Sequence, residues 1–197
     1  SRGKMELRRE RIRLSDVVAS AVETARPPID AAGHRLTVSV PLEPLYLDGD
    51  LTRLAQVFSN LLTNSAKYTP PSGQIWLVAE RSDNDVVVSV KDTGIGIPAE
   101  ALPRIFVMFS QVDRSFERAT GGLGIGLALV RGLIEMHGGS VGVQSQGPGQ
   151  GSTFTVRLPL SPSQPGSEPA DPGQGRAVRG PYRKILVVDD NLDSAQS

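Results

Sequence analysis

Cysteine is absent from this 197-residue chain and histidine occurs only twice. Without cysteine there is neither a disulfide framework nor a thiolate metal site, a composition that fits a reducing compartment. No apolar run approaches the roughly 20 residues that a bilayer-spanning helix needs, and no signal peptide opens the chain. Charge of either sign is in no excess. Lys+Arg and Asp+Glu both number 21, so the net charge is zero and argues for neither nucleic acid nor an anionic membrane as partner. The length suits one domain of about 150 residues with a real core, plus extra material. Starting at Ser1 in mid-pattern, the sequence reads as a soluble fragment of something longer.

What is present is patterned. Residues 1–10 are charged and helix-compatible, with no core pattern. Arg11 to Leu14 alternates like a strand, and Ser15 or Asp16 can cap a helix running to about Ala32. Arg35 to Val40 alternates with period two, Leu45 to Leu47 is a short strand, and Asp50 is placed to cap a helix from Leu51 to about Lys67. Gln74 to Arg81 and Asp85 to Lys91 predict a hairpin around Ser82-Asp83-Asn84. A helix from Ile125 to His137 is stopped by Gly138 and Gly139, and a second hairpin joins Ser140–Gln146 to Ser152–Leu158. The pattern predicts an α/β fold, a mixed sheet covered on one face by three helices. Between Ser161 and Pro181, five prolines, four glycines and three serines leave too few apolar side chains to offset the entropy of ordering, which predicts a linker. Beyond it, Lys184-Ile-Leu-Val-Val-Asp-Asp190 is an apolar run ending in two carboxylates, suited to a strand buried on both faces.

Three polar motifs carry the chemistry. On the helix from Leu51, Leu51, Leu54, Phe58, Leu61, Leu62 and Ser65 share one face, while Arg53, Gln56, Asn60, Asn64 and Lys67 share another. A solvated face explains polarity in general, but asparagine is a poor helix former and two of them with no cap to make call for a reason. An amide oxygen is a hard neutral ligand suited to Mg²⁺, and a lysine one turn on can meet phosphate as a mobile point charge. Asp92-Thr-Gly94-Ile-Gly96-Ile-Pro98 ends an apolar strand with a carboxylate and two glycines; ordinary turn chemistry produces such a stretch, and so does a backbone that must pass close to a ligand. Gly121-Gly122-Leu123-Gly124-Ile125-Gly126-Leu127 runs straight into a helix, whose first amides attract phosphate.

In this order the motifs resemble the nucleotide-binding boxes of the GHKL ATPase superfamily, most closely the catalytic ATP-binding domain of sensor histidine kinases, over roughly Arg11 to Leu158. The resemblance implies a two-layer Bergerat-type α/β sandwich at 11–160 that binds ATP with Mg²⁺ and donates the γ-phosphate to a histidine. It places Asn60, Asn64, Lys67, Tyr68, Asp92, Gly94, Gly96, Ile97, Phe109, Arg114, Arg118, Gly122, Leu123, Gly124, Ile125, Gly126, Leu127 and Thr153 around the nucleotide. Of these, Asn60, Asn64 and Lys67 serve the transfer, Asn64 holds the metal, and Asp92 reads the adenine amine. Phe106 and Phe109 match the family's phenylalanine box at the base of a lid spanning roughly Phe109 to Thr120. Two departures stand out: Ser65 replaces the usual alanine, and Gln111 stands where many relatives carry a lid arginine.

The subfamily turns on Asn60. Hydrolytic relatives carry a glutamate there that activates water, and an asparagine cannot act as a general base at neutral pH. A hydrolytic ATPase and a non-catalytic nucleotide-sensing module remain the alternative readings. His137 precedes two glycines at a helix end, where a cationic side chain or a cap suffices, and His34 sits in a Gly-His-Arg turn; neither has the flanks of a phospho-acceptor. The resemblance therefore implies that residues 1–10 end a dimerisation and phospho-acceptor helix region, and that 182–197 begin a truncated receiver domain. The implied partners are those helices and a receiver, with no nucleic acid and no membrane contact by this segment. The segment itself is expected to be monomeric and cytoplasmic within a homodimeric parent.

Overall fold

The computed structural model describes residues 6–107 and 126–162 in full and the main chain of 183–187. A strand β1 (Glu10–Arg13) pairs antiparallel with β3 (Tyr46–Gly49) as a small two-stranded sheet. The main sheet holds β2 (Arg35–Pro41), β4 (Gln74–Ser82), β5 (Asp85–Asp92), β6 (Ser140–Gln144), β7 (Ser152–Pro159) and β8 (Arg183–Val187). Their spatial order is β6-β7-β5-β4-β2-β8. The β2–β4 pair is parallel and every other neighbouring pair is antiparallel, so the sheet is mixed as expected.

Strict alternation puts Ile75, Leu77 and Ala79 of β4 and Val86, Val88 and Val90 of β5 on one buried face. These side chains join a single apolar cluster with the inner faces of α1 (Leu14–Ala31), α2 (Leu51–Tyr68) and α3 (Gly126–Met136). Helix α2 lies between the other two and is therefore buried beyond one stripe: Ala55, Val57, Ser59 and Ala66 are enclosed along with Leu54, Phe58, Leu61, Leu62 and Ser65. Leu51, expected on the buried face, is half-buried at the helix start.

Two local expectations shift. Helix α1 begins at Leu14, with Arg13 as its N-cap and no side-chain capping bond, so neither Ser15 nor Asp16 caps it. Burial of Leu14 fixes the entry, and its amide donates to the Leu45 carbonyl at 2.9 Å, which satisfies the first of the helix's unpaired amides. The second concerns residues 183–187. Their pattern suits a strand of a parallel sheet, whereas here their main chain adds a sixth strand antiparallel to β2. The edge of β2 offers unpaired amides and carbonyls that an extended apolar segment can satisfy. Most of the expected linker, from residue 163 on, lies outside the described residues.

Both histidines are structural staples. His34 donates from Nε2 to the Ala66 carbonyl at 2.9 Å and accepts at Nδ1 from the Gly73 amide at 3.2 Å. His137 donates from Nδ1 to the Leu133 carbonyl at 2.7 Å and accepts at Nε2 from the Asp50 amide at 3.0 Å. His137 thus caps the end of α3 through the Leu133 carbonyl and bridges it to the start of α2.

Asp50 caps α2 as expected, accepting from the Arg53 amide at 3.1 Å, and it also takes the Arg8 amide at 3.0 Å. Burial alone would raise its carboxyl pKa; the Arg8 and Arg53 amides and the Arg53 charge outweigh that and hold it below its ordinary value of 3.8. A depressed folded pKa favours the folded state fully above the unfolded pKa, and the contribution disappears as pH falls through the folded value. Urea unfolding of the wild type should therefore lose stability on acidification more steeply than Asp50→Asn, whose cap does not titrate. Parallel pH profiles for the two would show that Asp50 contributes nothing through its charge.

Candidate functional site

The C-terminal turns of α2 and the segment after β5 meet directly. Ser65 of α2 donates its hydroxyl to Asp92 Oδ2 at 3.3 Å, and the Tyr68 carbonyl accepts the Ile95 amide at 2.9 Å. Asp92 ends β5 with its side chain on the buried face, in phase with Val86, Val88 and Val90. Only 5% of it is exposed, so its oxygens need donors from the protein. Oδ1 accepts from the Gly94 amide at 2.8 Å and the Ser152 amide at 3.2 Å, and Oδ2 accepts from the Ser152 hydroxyl at 2.7 Å as well as from Ser65. No cation pairs with it among the described residues.

The glycines of this segment are dictated by the chain itself. A Cβ on Gly94 would stand 2.6 Å from Asp92 Oδ1 and 2.6 Å from the Tyr68 carbonyl oxygen. Gly96 has φ 73°, and its missing side chain leaves room for the Gly147 carbonyl of the β6–β7 turn. That turn is stitched to the segment by the Gly151 amide to the Gly94 carbonyl at 3.1 Å, the Gly149 amide to the Ile95 carbonyl at 2.6 Å, and the Ile97 amide to Ser145 Oγ at 3.0 Å. Ile97 is buried at its foot. Phe106 packs edge-on against Phe154 of β7, ring centroids 6.2 Å apart.

Along α2 the polar stripe falls where periodicity puts it. Arg53, Gln56, Asn60, Asn64 and Lys67 are all half-buried. Arg53 donates to Gln56 at 3.2 Å, whereas the amides of Asn60 and Asn64 make no hydrogen bond to another described residue. Lys67 holds its ammonium 5.0 Å from the ring centre of Tyr68, which is 39% exposed. Gly126 and Leu127 form the first turn of α3, both half-buried, and a Cβ at Gly126 would meet nothing among the described residues. Phe109, Arg114, Arg118, Gly122, Leu123, Gly124 and Ile125 lie outside the described residues.

Thr153 is not where the sequence reading puts it. It pairs with Lys91 on β5, and the inward phase of β7 belongs to Ser152, Phe154, Val156 and Leu158, so Thr153 faces the other side of the sheet from Asp92. Ser152 makes the contact instead, and counting back by twos from Phe154 would have identified it. Thr69, at the end of α2, was also missed. Its hydroxyl is the one buried side-chain polar atom among the described residues without a hydrogen-bond partner, and it lies 3.2 Å from where a Gly94 Cβ would stand. Its signal is weak, because a threonine at a helix end has an ordinary explanation.

A mixed-sheet α/β sandwich that sets a half-buried Asn/Lys helix face beside a donor-saturated strand-end aspartate is a narrow class. The family model described as histidine kinase-, DNA gyrase B- and HSP90-like ATPase matches residues 49–162, more than half of the chain. The chain belongs to this family. Sensor protein DivL of Caulobacter vibrioides is 41% identical over 165 residues, 84% of this chain and 20% of that protein. Full-length ShkA in complex with AMPPNP superposes with a TM-score of 0.68 at 31% identity, over 81% of this chain and 32% of that one. The nucleotide-free catalytic domain of histidine kinase ThkA gives a TM-score of 0.67 at 27% identity, over 79% of this chain and 96% of that one. The chain spans about a fifth of the length of the curated relatives it matches.

The packing around Gly94 sets a test of the site's architecture. Gly94→Ala forces a methyl group against a main-chain carbonyl that cannot swing away, an overpacking that should cost about 1–3 kcal/mol. Thermal melts should show that loss, while an alanine at Gly126, where the described residues leave open space, should not lower the melting temperature.

Proposed function

We propose that this domain binds Mg-ATP between α2 and the Asp92 segment and donates the γ-phosphate to a histidine on a separate helix pair, as part of a two-component signalling protein. The observation that carries this reading is the junction itself: Ser65 and Tyr68 bond the asparagine helix to the Asp92 segment, so the two polar motifs form one site. The family and the AMPPNP complex of ShkA support it. In this reading Asp92 accepts from the adenine amine, Tyr68 flanks the base, Lys67 meets phosphate oxygens, and Asn60 supports Asn64. The amide of Asn64, which bonds no other described residue, suits Mg²⁺, which takes most of its ligands from water and phosphate and so needs no carboxylate cluster here. When bound, the metal neutralises phosphate charge. The chain's own residues bind and orient, which is most of what phosphoryl transfer asks of a protein.

Transfer rather than hydrolysis follows from Asn60, which cannot take a proton from water. An external acceptor follows from the histidines. The chain has only two, and each is buried with both ring nitrogens engaged in hydrogen bonds. Phosphorylating either would break a staple between helices or between helix and strand.

Calorimetry with AMPPNP should show Mg²⁺-dependent binding that weakens by about 1–3 kcal/mol in Asn64→Ala, the scale of a lost interaction with a charged group. Equal affinity with and without Mg²⁺ would remove the metal assignment. Incubated with labelled ATP, the chain should stay unlabelled and hydrolyse slowly, and should label an acceptor helix pair from the full-length protein supplied in trans. That transfer should be weak, because the tether that raises effective concentration is missing. Label on His34 or His137, or brisk hydrolysis without acceptor, would refute the division of roles.

A further inference from the structure

A carboxylate offers about four acceptor positions, two on each oxygen, and the protein fills all four on Asp92. Oδ1 takes the amides of Gly94 at 2.8 Å and Ser152 at 3.2 Å; Oδ2 takes the hydroxyls of Ser152 at 2.7 Å and Ser65 at 3.3 Å. If Asp92 reads the adenine amine, a reading on which this inference rests, the amine hydrogen needs one of these positions. One donor has to yield.

The four are not equally able to do so. The Gly94 amide is fixed by a turn packed against the Tyr68 carbonyl, and the Ser152 amide by the strand register that sets Ser152 opposite Asp92. The Ser152 hydroxyl makes the shortest bond of the set. Ser65 makes the longest, hangs on a single side-chain torsion, and sits inside a helix that offers it another acceptor. The carbonyl of Leu61, four residues earlier, can take a serine hydroxyl in place of the carboxylate.

We propose that Ser65 is a displaceable donor: it completes the set of four on Asp92 and yields to the adenine amine by swinging to the helix carbonyl, so that it tunes adenine affinity by competing with the base. Its bond to Asp92 is the one that the adenine amine replaces. Removing it should therefore tighten binding, whereas a serine that merely oriented the carboxylate would weaken binding when removed.

Calorimetry on the full chain in the presence of Mg²⁺, comparing ATP with purine riboside 5′-triphosphate, tests this. The second compound keeps the ring and the phosphates but lacks the 6-amino group, so it has no claim on the contested position. Ser65→Ala should bind ATP about two- to tenfold more tightly, the range set by one modest hydrogen bond, with the purine riboside compound unchanged. Ser65→Cys, a weaker donor of similar shape, should fall between alanine and wild type, and thermal melts report whether either variant is folded. Unchanged or weaker ATP binding in folded Ser65→Ala, with the wild type still preferring ATP, overturns the displacement. Equal binding of the two compounds by the wild type would instead remove the base reading of Asp92, and the proposal with it.

Discussion

An aspartate placed on the inward phase of a strand has to be solvated by the protein, and Asp92 draws its donors from three separate parts of the chain. Ser65 comes from α2, Gly94 from the segment after β5, and Ser152 from the start of β7. Leaving those oxygens unmet in a site this dry would be costly, more so for a charged group than for a neutral one. The same bonds therefore fix the end register of β5 against β7 and the path of the Asp92–Pro98 segment, with Ser65 bringing the last turns of α2 against them. Gly94 and Gly96 are consequences of that path, since the segment passes too close to the Tyr68 and Gly147 carbonyls for a side chain.

Helix α2 carries the arrangement inward. Because it lies between α1 and α3, its orientation is set on several sides by apolar contact, with Phe58, Leu61 and Leu62 fully enclosed. Both ends are then pinned by polar bonds. His137 takes the Asp50 amide at the start, and His34 reaches the Ala66 carbonyl near the end. The segment before β1 joins the same knot. The Arg8 amide bonds Asp50, and the Arg9 guanidinium donates to the Met136 carbonyl at 2.6 Å while lying 3.5 Å from Asp48. The exposed ion pair contributes little alone; the bonds to Asp50 and to the end of α3 are the ones that tie residues 8 and 9 to the helix ends.

Most of the fold was legible because it rests on periodicity. The alternation in Gln74–Ser82 and Asp85–Asp92 and the helical spacing in Leu51–Tyr68 each encode their buried faces locally. The misses outside the site turn on partners distant in sequence. Helix α1 starts at Leu14 because burial of that side chain and the bond from its amide to the Leu45 carbonyl fix the entry. His137 bonds an amide 87 residues away, a contact that no helix-end rule can see. Residues 183–187 pair with β2, although their apolar run is equally compatible with another sheet. Within the site, Ser152 and Thr153 are adjacent polar residues of similar chemistry, and only the phase of the strand separates them.

The fold also sorts the motif residues by whether packing already accounts for them. Gly94, Gly96 and Ile97 need no ligand to explain them, since a close carbonyl, a positive φ and a buried position suffice. The fold makes no such use of the polar atoms of Asn60 and Asn64, whose amides bond no other described residue along a half-buried helix face. Asparagine lowers helix stability relative to alanine by several tenths of a kcal/mol, about 0.5 at each position. Nothing in the described structure offsets that cost. The two residues that packing leaves unexplained are thus the ones to which the functional reading assigns the metal and its support, and they stand on the turns of α2 that Ser65 and Tyr68 join to the Asp92 segment.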